Sequence, residues 1–285
     1  MTALAGIAYA RRASRPAWPP PVSTPPAPHL YVPPDEDSAT VEANDTQPDV
    51  TVVVPTYREA ENLPELIARL GDAVSGAHLS AEFLIVDDDS RDGTEELCAE
   101  LAKDHPLRLI LRRNERGLAT AAVRGLSESR GAVLAVMDAD LSHPPEAIPD
   151  LIAAVLGTDG RGGADFAIGS RYVPGGQIDA GWGRFRQWNS KVATHLARGL
   201  TNAADPLAGF FALRRETFAA CGPLDPVGYK IGLELLVKCG ARRVAEVPIT
   251  FRDRTRGSSK LTLGQQLAYL KHLGKLYAFN ARRAA

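Results

Sequence analysis

Several things are scarce in this chain of 285 residues, and each scarcity closes off a class of function. Cysteine occurs only at Cys98, Cys221 and Cys239, with no C-x-x-C and no histidine at ligand spacing, which argues against a zinc site. Widely separated cysteines read as free thiols in a reducing compartment. No window approaches the ~18 uninterrupted apolar residues of a membrane-spanning helix, so the expectation is a soluble or peripheral protein. A formal charge of -1 gives no basic field for nucleic acid. Neither G-x-x-x-x-G-K-[ST] nor a G-x-G-x-x-G after the first strand is present, which removes the phosphate loop and the dinucleotide fingerprint.

What is plentiful is unevenly placed. Residues 1–48 are proline-rich without hydrophobic period, as in "RPAWPPPVSTPPAPHLYVPPDEDS", and read as a disordered tail. The opening "MTALAGIAYARRAS" places apolar residues before arginines, the reverse of a secretory leader, so a cytoplasmic location is expected. From Val50 onward, short β-branched runs alternate with helical stretches: "VTVVVP", "ENLPELIARLGDAV", "EFLIVDDDS", "TEELCAELAKD", "LRLILRR", "LATAAVRGLSESR", "AVLAVMD", "EAIPDLIAAVLG" and "DFAIGS". Apolar runs without alternation are strands covered on both faces, so the fold class is α/β with a mostly parallel sheet flanked by helices. Ligands of such sheets bind beyond the carboxyl ends of the strands.

Polar groups gather where those apolar runs stop, in "PTYREAEN", "DDDSRDGT", "DADLSH" and "GSRY". Asp92, Gly93 and Thr94 are expected to form a turn and cap, and Gly117 the bend into the next helix. In "VMDADLSHPPE", Asp138 and Asp140 flank Ala139, and an extended backbone would turn both carboxylates to one side. Two like charges that close need a cation, and Mg²⁺ takes one or two carboxylates plus substrate phosphates. Pro144 and Pro145 would end the loop and launch a helix at Glu146. Taken alone, the pair reads equally as a strand-end helix cap.

The ordered series "VVVPTYREAENL", "LIVDDDSRDGT", "VMDADLSHPPE", "IGSRYVPGG", "DPLAGFFALRR", "GYKIGLELL" and "EVPITFRDRTRGSSKL" resembles the family 2 glycosyltransferases of GT-A (Rossmann-like) fold, and among them the dolichyl or polyprenyl phosphate mannose synthases. The resemblance implies a GT-A domain over 49–260. It implies a donor pocket from Pro55, Tyr57, Glu59, Val86 and Asp88, with Asp138, Ala139 and Asp140 at the diphosphate and Lys230, Arg254 and Lys260 as further donor contacts. Asp138, Asp140 and Ser142 would hold Mg²⁺ or Mn²⁺; many relatives carry glutamine where this chain has Ser142. Arg171, Arg186 and Ser259 would grip the acceptor phosphate, Arg171 also reaching the donor, with Asp140, Arg171 and Arg186 closest to the chemistry. The implied reaction moves mannose from GDP-mannose to a polyprenyl or dolichyl phosphate with inversion. UDP-glucose or UDP-N-acetylglucosamine on another acceptor, or a non-enzymatic nucleotide-sugar binder, are the alternatives. A processive polysaccharide synthase would show Q-x-x-R-W and membrane spans, which this sequence lacks.

Residues 261–285 carry no acidic residue, and Leu263, Leu267, Leu270, Leu273 and Tyr277 recur at helical spacing beside Lys271 and Lys275. A basic amphipathic helix of this kind suits an anionic membrane surface, so peripheral association with the cytoplasmic face is expected, directly or through membrane-anchoring subunits. The alternative is a terminal helix packed on the sheet.

Overall fold

The computed structural model describes residues 8–9, 47–157, 163–179, 184–225, 230–252 and 263–284, the side chains of 8–9, 184–188, 263–265 and 284 excepted. In chain order the elements are β1 (Ala8–Tyr9), β2 (Val50–Thr56), α1 (Leu63–Gly76), β3 (Ala81–Asp87), α2 (Thr94–Leu101), β4 (Leu107–Leu111), α3 (Leu118–Glu128) and β5 (Val133–Val136). A 3₁₀ turn, Pro145–Ala147, leads into α4 (Ile148–Leu156), followed by β6 (Phe166–Ser170), β7 (Gln177–Ile178), α5 (Arg184–Ala197), β8 (Phe211–Arg214) and α6 (Arg215–Ala219). The chain ends with α7 (Ile231–Lys238), β9 (Val244–Pro248), β10 (Thr250–Phe251) and α8 (Leu263–Ala284).

The main sheet runs β1-β9-β6-β8-β5-β2-β3-β4, and β7 pairs with β10 in a small parallel ribbon. Strands β5, β2, β3 and β4 are mutually parallel, as expected from their unbroken apolar runs. Every residue of β2 is buried, and its side chains divide by the period of two. Val52 and Val54 enter the layer under α1 and α4, whereas Val53 enters the opposite layer under α3. Close seating of α3 requires Gly125, because a Cβ there would stand 2.3 Å from a Val53 methyl.

Three features depart from the sequence reading. β8 inserts antiparallel between β5 and β6, so the sheet is mixed at its centre. Ala8 and Tyr9, within the stretch read as tail, pair antiparallel with Glu246 and Ala245 of β9. That strand would otherwise present an open edge of backbone N–H and C=O groups, which two extended residues suffice to cover in part. The remainder of 1–46 lies outside the described residues. Finally, Cys221 and Cys239 are not free thiols but a disulfide, because α6 and α7 end side by side although the cysteines are 18 residues apart. Cys98 is free and buried, its thiol pushed up to about 12 by burial and then by Asp87 and Asp92.

The apolar line read along α8 is divided between two environments. Leu273, with Tyr269 and Leu276, is buried in a cluster with Ala197 of α5 and Leu233 and Val237 of α7. Leu267 and Leu270 face outward, Tyr277 is only partly exposed and donates its hydroxyl to the Leu196 carbonyl of α5 at 2.8 Å, and Leu263 has no described side chain. Among the described residues, no helix is long and apolar enough to cross a membrane.

Candidate functional site

The carboxyl ends of β2, β3 and β5 open on one cleft of about 190 Å³. Pro55, Tyr57, Glu59, Asp88, Asp138, Ala139 and Asp140 line it, together with Thr56, Leu118 and Ala121, which the sequence reading left out. Three successive βα units thus bring to one place residues that lie far apart along the chain. Val86 is the exception: its side chain is fully buried in the layer under α3, and only its carbonyl turns to Thr56 Oγ1, at 3.5 Å.

Buried carboxylates brace the cleft. Asp87 accepts from Ser90 N at 2.8 Å, Ser90 Oγ at 2.5 Å and Thr56 Oγ1 at 2.9 Å, tying the β3 end to the β2 end. Ser90 Oγ in turn accepts from Arg58 N at 2.8 Å. Asp88 is engaged on both oxygens, by the Arg112 guanidinium at 2.6 Å and by Gly117 N at 2.7 Å. Asp88 therefore anchors the loop that starts α3 as well as facing the cleft. Gly93, at φ 90°, is the N-cap of α2 and Thr94 its first residue, while Asp92 accepts from Thr94 N at 3.2 Å and Oγ1 at 2.6 Å and so ties the turn to the helix start. Tyr57, at the rim, lies under the guanidinium groups of Arg58 and Arg116, 5.3 and 5.2 Å from its ring centre.

The strand before the D-x-D ends at Val136, so Asp138 and Asp140 sit in the turn beyond it rather than in extended backbone. Leu141, at φ 60°, takes the left-handed conformation that permits this tight reversal. Asp140 is buried and accepts from Ser142 N at 3.1 Å. Asp138 N donates to His143 Nδ1 at 3.4 Å. His143, buried between Phe210 and Phe251, has its pKa lowered by burial, which outweighs the pull of Asp138 and Asp140. A neutral ring accepting at Nδ1 carries its proton on Nε2. The sequence reading passed over His143 although it stands within the same motif.

These residues fit a hard divalent cation. Two carboxylates face one cleft, the buried Ser142 Oγ has no hydrogen-bond partner, and Gly209 leaves space where a Cβ would lie 3.4 Å from Asp138 Oδ2. Among the described residues no group of three or more His, Cys, Asp or Glu could complete a coordination sphere, so phosphate oxygens would have to supply ligands.

Cations converge from the other half of the sheet. Arg171, just past β6, is bound along its guanidinium edge by the fully buried Asp205: Nε and Nη2 donate at 2.7 and 2.8 Å, and the Arg171 backbone N–H adds a third bond at 3.0 Å. Lys230, at the start of α7, is brought down to about 8 by burial and then by Arg171, with Asp205 and Asp138 pulling the other way. Its Nζ lies 3.4 Å from the Leu207 carbonyl. Arg186 belongs to α5, but its side chain is not among those described, and Arg254, Ser259 and Lys260 lie outside the described residues.

Residues 51–222 match the model of Glycosyl transferase family 2. The chain is 45% identical over 231 residues to a dolichol-phosphate mannosyltransferase of Pyrococcus furiosus, covering 80% of this chain and 63% of that protein. It is 42% identical over 240 residues to a protein of the same name from Mycosarcoma maydis, covering 81% of this chain and 80% of that one. In fold it is similar to a mannosyltransferase from Pyrobaculum calidifontis solved with GDP-Man and Mn²⁺, with a TM-score of 0.57, 21% identity, and coverage of 84% of this chain and 65% of that one. The sheet order, the cleft at the strand ends and these matches together place the chain in glycosyl transferase family 2.

Proposed function

We propose that the protein transfers mannose from GDP-mannose to a polyprenyl or dolichyl phosphate, with inversion at the anomeric carbon. The observation that carries this reading is a carboxylate cleft at Asp138 and Asp140 with two buried cations, Arg171 and Lys230, near enough to feel the charge of Asp138. The names of the 45% and 42% identical relatives support the choice of sugar and acceptor.

Transfer requires the acceptor phosphate oxygen to attack the sugar's anomeric carbon as the bond to the GDP oxygen breaks, so one displacement inverts the centre. A phosphate monoester has a second pKa near 6, so it arrives as an anion and needs no general base. Mg²⁺ or Mn²⁺ held by Asp138 and Asp140, with Ser142 beside them, would neutralise the departing diphosphate. Glu59, Tyr57 and Pro55 bound the nucleoside end of the cleft. Arg171 and Lys230 draw two anionic substrates together, and Arg171 keeps its charge when water is excluded. Arg186, Arg254, Ser259 and Lys260 complete the phosphate contacts in this reading.

The exposed Leu267 and Leu270 of α8, beside the exposed Lys271, supply a surface for peripheral association with the membrane that holds the acceptor. The cytoplasmic face, where anionic lipid attracts such cations, is the side we assign.

The test is transfer of labelled sugar into the organic phase from GDP-mannose, UDP-glucose or UDP-N-acetylglucosamine, with polyprenyl phosphate and Mn²⁺ or Mg²⁺. Labelled lipid from GDP-mannose alone, abolished by a chelator, is expected. Transfer only to a water-soluble acceptor would overturn the reading.

A further inference from the structure

Glu246 of β9 is buried, yet among the described residues no ion pair reaches its carboxylate. Both of its oxygens turn instead to one short stretch of backbone: Oε2 accepts from Ala204 N at 2.7 Å and Oε1 from Asp205 N at 3.0 Å. The residue so fixed, Asp205, has no exposed surface and holds Arg171 by its backbone N–H, Nε and Nη2. A carboxylate on one strand thus grips the loop whose own carboxylate sets the direction of the cation at the end of the neighbouring strand.

We infer that Glu246 is a positioning residue, which fixes Arg171 toward the acceptor phosphate through the Ala204–Asp205 backbone and the Asp205 carboxylate. Two adjacent amide donors are matched by a carboxylate, whose oxygens both accept, and by no neutral side chain of the same length. Glutamine would present one accepting oxygen and one NH₂ group, and the latter would face an N–H with nothing to accept. The loop would then lose one of its two anchors, and the Asp205 oxygens would move relative to Arg171. A misplacement of this kind near a reacting centre is costly out of proportion to its size. Partners one step behind a functional group commonly matter 10–100-fold when altered. Glu246 also pairs through its backbone with Ala8, so one residue of β9 holds both an N-terminal contact and the Ala204–Asp205 backbone.

This inference deepens the reading of Arg171 as a phosphate ligand and rests on it, so two readouts are needed. In steady-state transfer with GDP-mannose and a polyprenyl phosphate, Glu246→Gln is expected to raise the acceptor KM about tenfold and the donor KM by clearly less. The double variant Glu246→Gln/Arg171→Lys should be no worse for acceptor KM than Arg171→Lys alone, because both act through one group. Equal losses for donor and acceptor, or additive losses in the double variant, would overturn the inference. Hydrogen exchange at the Arg171 Nε–H reads the same relay without any substrate: at a temperature where the variant remains fully folded, Glu246→Gln should speed it about tenfold. An unchanged exchange rate would overturn the positioning role itself. Faster exchange with an unaffected acceptor KM in Arg171→Lys would instead remove Arg171 as the acceptor ligand.

Discussion

The donor cleft and the cluster of cations around Arg171 and Lys230 are assembled by different means. On the donor side, β2, β3 and β5 are successive parallel strands, and each delivers its own end loop: Tyr57 and Glu59, Asp87 and Asp88, Asp138 and Asp140. On the cation side, Arg171 follows β6, its partner Asp205 precedes β8, Glu246 comes from β9 and Lys230 opens α7. The donor side is therefore an array of local loops, fixed by short hydrogen bonds between adjacent strand ends. The cation side is one buried ion pair, Arg171–Asp205, braced from behind by Glu246, and its members come from strands and loops far apart in the chain. Damage should differ accordingly, with loss of function and little unfolding on the donor side, and loss of both on the cation side.

The largest effect expected is from Asp205→Ala, which leaves the Arg171 guanidinium buried without its carboxylate. Breaking one partner of such a pair costs about 3–5 kcal/mol, and a fall in the denaturant midpoint at constant slope would register it. Asp140→Asn should do the opposite, lowering transfer with Mn²⁺ by about 10–100-fold while the melting temperature holds. Gly125→Ala probes the seat of α3 beneath the donor loops. Its methyl would meet Val53 at 2.3 Å, and overpacking of that kind costs about 1–3 kcal/mol in the same denaturation measurement.

The smallest effect is in pH dependence. Lys230, lowered to about 8, is charged below that pH and loses its proton above it, so transfer should fall on the alkaline side. Lys230→Arg should move that limb to higher pH. The stability consequence has the opposite sign. Below pH 8 the amine is charged in both folded and unfolded chains, and the folded state carries the full cost of burying it. Between about pH 8 and the ordinary lysine value only the unfolded chain binds the proton, so this group's contribution to stability rises with pH there.

Much of the donor side was legible in the sequence because it depends on local pattern. An apolar run that stops at charged residues marks both a buried strand and the end where a ligand binds, which is why the β2, β3 and β5 loops were found. Thr56 escaped because it reads as one more β-branched strand residue, and His143 because histidine after a D-x-D reads as loop. Val86 was read with the pocket because its neighbours Asp87 and Asp88 end the strand, but the period of two turns its side chain into the core and leaves only its backbone at the strand end. The cation side was only half legible. Arg171 and Lys230 came from motif resemblance, but no spacing tells that Asp205 and Glu246, 41 residues apart, converge behind them. The same limitation hid the disulfide between Cys221 and Cys239. On α8, helical period showed an apolar stripe but not that Leu273 would turn to the protein while Leu267 and Leu270 stayed exposed.

The central claim is that Asp138 and Asp140 bind the donor's diphosphate by way of a divalent cation. Calorimetric titration of GDP into the purified chain, with and without Mn²⁺, tests it most directly. Affinity should rise at least about tenfold with the metal, and this gain should vanish in Asp140→Asn with the melting temperature unchanged. Equal GDP affinity with and without Mn²⁺, in the native chain and the variant alike, would contradict it.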